Sequence, residues 1–168
     1  MTRLILIFAS AALLLAAGCK PKTKAITSLE RKEAANLVSE ARFAITLRDY
    51  ARAEGLLAQA AQLCPDTGDY WLNLGMTRRR LKDTPGTKAA YQSALKAYRE
   101  ASVKAPKDAE PMLRQVYVLA LLGKADEAKA LLEQVKKTQG DDAEVKAFVD
   151  SRQLEQMLAD PKFKEIAL

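Results

Sequence analysis

The sequence predicts an all-α protein, an α-solenoid of three helix pairs closed by C-terminal capping helices and preceded by a cleaved segment and a short linker. Three observations predict it. Strand signals are missing, since no period-2 run of β-branched residues bounded by turn residues occurs. From Thr27 onward the chain is rich in Ala, Leu, Glu, Lys, Arg and Gln, interrupted only by short polar clusters. A spacing of 4, 3 and 5 residues recurs three times, as Ala53-Leu57-Ala60-Pro65, Ala94-Tyr98-Ala101-Pro106 and Ala128-Leu132-Val135-Gly140. Self-similarity with a period near 34 residues marks stacked helix pairs, in which each pair buries its apolar face on the next.

The elements follow in order. Arg3 precedes the apolar run Leu4–Ala17, 14 residues long and closed by small residues. This is the layout of a secretory signal, and the run is too short to span about 30 Å of hydrocarbon as a helix. Its end, Leu15-Ala16-Ala17-Gly18-Cys19, resembles the lipobox of bacterial lipoproteins. The resemblance implies cleavage before Cys19, diacylglycerylation of its thiol and acylation of the new amino terminus. It also implies residence in the outer membrane facing the periplasm, because Lys20 stands where an Asp would favour retention at the inner membrane in enterobacterial sorting. Residues 1–18 are then the signal peptide, and 19–27 the lipidated cysteine and its linker. The lysines of Lys20-Pro21-Lys22-Thr23-Lys24 suit an anionic lipid surface, at about 1 kcal/mol each.

Order is expected to begin at Thr27-x-x-Glu30, a capping-box pattern. Breaks fall near Arg48-Asp49, Cys64–Gly68, Lys82–Gly86, Ala105–Asp108, Leu122–Lys124 and Gln139–Asp142. They divide the chain into about seven helices of roughly 14–20 residues and a short eighth after Pro161, with short loops making neighbours antiparallel. Residues 28–142 hold the three pairs (about 34–67, 68–108 and 109–142), and 143–168 the capping helices. Val145, Phe148, Val149, Leu154 and Leu158 fit one capping helix, with Asp160-Pro161 ending it and Phe163 tucked over the last pair.

The middle copy contains Trp71-x-x-Leu74-Gly75, and with it the chain resembles the tetratricopeptide repeat family over residues 34–142. The family pattern maps onto Trp71, Leu74, Gly75, Ala94, Tyr98, Ala101 and Pro106. It also maps onto Leu37, Ala41, Ala53, Leu57, Ala60 and Pro65, and onto Met112, Gly123, Ala128, Leu132, Val135 and Gly140. Small residues at Ala41, Gly75, Ala53, Ala94 and Ala128 let the two helices of a pair approach closely. One departure stands out. Leu37 to Ala53 and Met112 to Ala128 each span 16 residues, whereas Trp71 to Ala94 spans 23. The surplus is two helical turns, expected to project beyond the neighbours and to leave Ala90 with little around it.

Composition narrows the chemistry. Histidine is absent, which removes the usual general base near neutral pH, the commonest zinc ligand and any Ser-His-Asp arrangement. The seven glycines form no phosphate-binding string. No catalytic residue, metal or cofactor is expected beyond the covalent lipid on Cys19, and the protein is not expected to be an enzyme. Lys and Arg number 27 against 21 Asp and Glu, a net charge of +6. That balance is mild and spread along the chain, and no aromatics interleave with Arg78-Arg79-Arg80, so nucleic acid is not an expected partner.

The family binds extended peptides or helices on the concave surface lined by the first helix of each pair. The resemblance places Arg42, Leu72, Met76, Arg79, Arg80, Leu113 and Tyr117 on that surface, an apolar strip with a cationic end suited to acidic partner segments. The expected function is therefore a membrane-anchored scaffold for protein–protein interaction in envelope, secretion or pilus-type assembly. The alternative is a self-associating structural lipoprotein without a dedicated peptide ligand.

Overall fold

The structure, a computed structural model, describes residues 25–168; the expected signal segment and Cys19 lie outside the described residues. It is an all-α solenoid. Three antiparallel pairs follow one another: α1 (Ser28–Thr46) with α2 (Tyr50–Leu63), α3 (Gly68–Arg80) with α4 (Thr84–Lys104), and α5 (Glu110–Leu121) with α6 (Ala125–Gln139). Each helix packs on the next in sequence. Three short helices close the chain: α7 (Ala143–Asp150), α8 (Gln153–Ala159) and α9 (Pro161–Ile166).

Helix α1 starts where the capping box falls. The Thr27 hydroxyl accepts from the Glu30 amide at 3.2 Å, and the Glu30 carboxylate accepts from the Thr27 amide at 2.7 Å. Within each pair the chain then turns the same way. Arg48, Lys82 and Gly123 adopt φ of 59°, 62° and 71°. In each turn the following amide reaches back five residues, Asp49 to Ala44, Asp83 to Arg78 and Lys124 to Leu119, at 2.9–3.0 Å. This is the left-handed helix stop that satisfies orphan carbonyls. The first two turns combine it with an Asp cap on the next helix, Asp49 to the Arg52 amide and Asp83 to the Gly86 amide. The third has the glycine but no side-chain cap at Lys124.

The anchor alanines sit where the helices cross. Ala53, Ala94 and Ala128 are each fully buried, as are Ala41 and Val116. The fit of α3 to α4 is set by two matched steps. A Cβ on Gly68 would lie 2.6 Å from the Tyr98 ring, and one on Gly75 would collide with the Tyr91 ring. Gly68 and Gly75 are two turns apart on α3, as are Tyr91 and Tyr98 on α4, so each aromatic lies over a glycine of the antiparallel neighbour.

The surplus two turns lie at the start of α4, which runs 21 residues against 14 for α2 and 15 for α6. They do not project into open space. Thr87, Ala90 and Tyr91 are at most 1% exposed, so the expectation that Ala90 has few neighbours is corrected. Ala90 closes the first apolar cluster together with Ala34, Ala41, Ala44, Ala53, Ala60 and Leu74. Tyr91 belongs to the second cluster, which runs through α3 to α9.

The capping region is also corrected. One helix was expected over Val145–Leu158, but the chain breaks between α7 and α8, where Arg152 adopts φ 49°. A left-handed residue cannot continue a helix. The break reverses the chain: α7 packs on α6, α8 on α5, and α9 on α3. The apolar residues of the expected helix still point inward, Val145, Phe148 and Leu154 all being buried, but they do so from two separate elements.

Candidate peptide-binding face

Helices α3 and α5 present one face on which the last nine residues lie. Asp160 caps α9 through the Lys162 amide at 2.9 Å, and Pro161 starts it where a missing amide costs nothing. Phe163 is 7% exposed and meets the Tyr117 ring edge-on at 5.8 Å between centroids. Leu72, Leu113, Met76 and Tyr117 belong to the same apolar cluster, joined by Ile166 and Ala167.

The segment is also held by its backbone. A helix leaves its last carbonyls without internal partners, and they carry its negative end. At the end of α9 the Ile166 carbonyl accepts from the Tyr91 hydroxyl at 2.6 Å, and just beyond the helix the Ala167 carbonyl accepts from the Arg79 guanidinium at 2.9 Å. In return the Leu168 amide donates to the Leu121 carbonyl at 2.8 Å, an orphan acceptor at the end of α5. Gly123 makes room for this. A Cβ there would lie 3.1 Å from the Leu168 carbonyl oxygen, and its φ of 71° suits glycine alone at no cost. Burial pushes the Tyr91 hydroxyl well above the usual tyrosine range and raises that of Tyr117.

The three arginines at the end of α3 diverge. Arg78 pairs with Glu54 of α2, its Nη2 2.7 Å from Oε1. Arg79 faces the terminal segment, and Arg80 lies over the Tyr50 ring, 5.4 Å from its centroid. The residues expected on the binding surface therefore fall into two groups. Leu72, Met76, Arg79, Leu113 and Tyr117 come together with α9, Leu72 and Leu113 being buried. Arg42 and Arg80 are exposed.

Two participants escaped the sequence reading. Tyr91 lies in the surplus turns, three residues before Ala94, and that insertion was the only available signal for it. In residues 160–168, Phe163 lies over the last pair as expected, against Tyr117 of α5, but α9 also reaches α3 of the middle pair, which was not foreseen. Their pattern Phe163-x-x-Ile166-Ala167 was legible as one apolar face, but its destination was not.

Residues 88–150, from early α4 to the end of α7, match the family model described as tetratricopeptide repeat. No curated protein matches the chain. The match supports tetratricopeptide repeats in the second half of the solenoid. Such repeats suggest a protein–protein interaction module, and α1–α3 extend the same turn geometry toward the amino terminus.

Proposed function

We propose that this chain is a lipid-anchored scaffold that holds protein segments on the face formed by its first helices, in envelope or secretion-type assembly. One observation carries the protein-binding part. The face formed by α3 and α5, with Tyr91 from α4, already grips a chain segment through both apolar side chains and backbone carbonyls. That is the combination a peptide-recognition surface needs, with main-chain bonds for affinity and pockets for specificity. The reading is of binding rather than catalysis, with no metal and no cofactor other than the lipid.

Anchoring rests on the sequence alone. Cys19 is the proposed acylation site, with two or three chains giving a firm hold, since each buried CH₂ adds about 0.8 kcal/mol. The proposed residence is the outer membrane, facing the periplasm. Cys19→Ser is expected to abolish palmitate labelling and release the protein from membranes. Persistent labelling would remove the anchor from this reading, and density-gradient fractionation with the inner membrane would relocate it.

The binding part is tested in cells by placing a photo-crosslinking residue at Arg42 or Arg80, which are exposed on α1 and α3. Crosslinks from these positions to a discrete partner are expected, and none from the outer face of α4, for example at Lys96. A self-associating alternative has one observation in its favour: Phe43 and Leu47 on and just after α1 are 61% and 62% exposed. Crosslinks to a second copy, with a defined oligomer by light scattering, would favour that alternative.

A further inference from the structure

We propose that Asp160–Leu168 is a resident competitor on this face, displaced by partner segments of its own chemistry. Those partners carry an aromatic residue and an aliphatic residue three positions on, along a short helix with an extended end whose carbonyls meet Tyr91 and Arg79. The inference rests on the protein-binding reading above and names the ligand class.

Three features point to a ligand-like occupant rather than a further repeat. The first is the path. After α7 the chain reverses at Arg152 and runs back over α5 to α3 instead of stacking onward. The second is length. Helix α9 has six residues, far below what sustains a helix alone, so its conformation is set by the surface beneath it. The third is the nature of the grip. The contacts of the Ile166 and Ala167 carbonyls and the Leu168 amide are backbone contacts, which any segment arriving in the same pose can make. Selectivity then falls to Phe163 and Ile166, because Lys162, Lys164 and Glu165 are exposed.

Tethering explains why such a surface would stay covered until a partner arrives. A segment attached through a short connection competes at an effective concentration in the millimolar range. A free segment therefore sees only the fraction of molecules whose face is open, and its apparent affinity falls by that fraction.

The test uses a fluorescent peptide with the sequence of residues 158–168 as probe, against the full chain and two full-chain variants, Phe163→Asp and Ile166→Asp. Each variant unseats the tethered copy without touching the face. Both are expected to bind the probe at least tenfold more tightly than the parent. A probe lacking its phenylalanine should not bind, and adding Arg79→Ala to a released variant should weaken capture. Equal affinity in the parent and in variants of parental helicity would overturn the proposal. So would loss of folding in both variants, since a segment the fold cannot spare is core and not a competitor. A parent dimer that Phe163→Asp dissolves would assign the segment to a second copy and overturn it as well. Probe capture is independent of any cellular partner, so a negative result here leaves the crosslinking experiment to judge the scaffold reading separately.

Discussion

The first and middle helix pairs share a turn and an anchor alanine, yet they treat the tyrosine three residues before that anchor in opposite ways. Tyr50 opens α2, half-buried beneath the exposed Arg80. Tyr91 sits two turns inside α4, fully buried against Gly75, with its hydroxyl on the Ile166 carbonyl. The surplus seven residues make the difference. They place Tyr91 within a continuous helix, where it can cross α3 and reach the face beyond. In this solenoid the shared pattern builds the frame, and the departure from it shapes the candidate face.

Removing each tyrosine is the harshest way to break that comparison. Tyr91→Ala is expected to cost about 3–5 kcal/mol in urea melts, as for other large buried aromatics. Tyr50→Ala should cost about 0.5–1 kcal/mol, the scale of an exposed cation–π contact. Similar losses would mean the two positions are energetically equivalent and the surplus turns incidental.

Overpacking sharpens the same point. Gly75→Ala, Ala90→Leu and Ala94→Leu should each destabilise by about 1–3 kcal/mol, because Gly75 lies against the Tyr91 ring and both alanines are buried with no room to spare. By contrast Gly55→Ala on α2, where an added Cβ meets nothing within 4 Å, should stabilise by about 0.5–1 kcal/mol through helix propensity. A mild Ala90→Leu would restore the picture of surplus turns with empty surroundings.

The turns offer a smaller effect. Arg48 and Lys82 hold left-handed φ without being glycine, a conformation that disfavours L-residues by about 1–2 kcal/mol. Arg48→Gly and Lys82→Gly should each raise stability by less than that, because glycine also loosens the unfolded chain. The reverse change, Gly123→Ala, should destabilise and also disturb residues 160–168, which pass 3.1 Å from its Cβ direction. Equal responses at all three turns would argue that the terminal segment does not rest on the third.

The smallest expected effect is a pH dependence at the first pair. Hydrogen bonding from Arg31 holds the Asp66 carboxyl below its usual range, tying α1 to the α2–α3 turn. A depressed carboxyl contributes stability above its unfolded pKa of about 4, lost as pH falls through the folded value. The pair is partly exposed, so the loss should be slight and screened by salt. Asp66→Asn should flatten the profile below about pH 4, while Tyr91→Phe should leave it unchanged.

Much of the frame was legible because it depends on local chemistry. Asp49, Asp83 and Thr27 announce helix starts, and the 4-3-5 spacing marks the faces that must meet. The break at Arg152 was not, since neither Gly nor Asn signals its left-handed backbone and the apolar residues on both sides face inward. Nor was the return of residues 160–168 to α3. That depends on where Tyr91, Arg79 and the end of α5 stand relative to one another, a tertiary fact that no window of sequence contains. The divergence of Arg78, Arg79 and Arg80 was hidden for a similar reason: their partners lie on α2, in the terminal segment and at Tyr50.

The central claim is that residues 160–168 are seated on the first-helix face and held there by backbone as well as side chains. Amide hydrogen exchange at Leu168 tests it most directly, because that amide lies outside any helix and its bond to the Leu121 carbonyl is a backbone link from the segment to α5. The account predicts clear protection at Leu168 in the parent, reduced in Tyr91→Phe and abolished in Phe163→Asp, with α1 and α2 unaffected. Exchange of Leu168 in the parent at the rate of an unstructured peptide would contradict it.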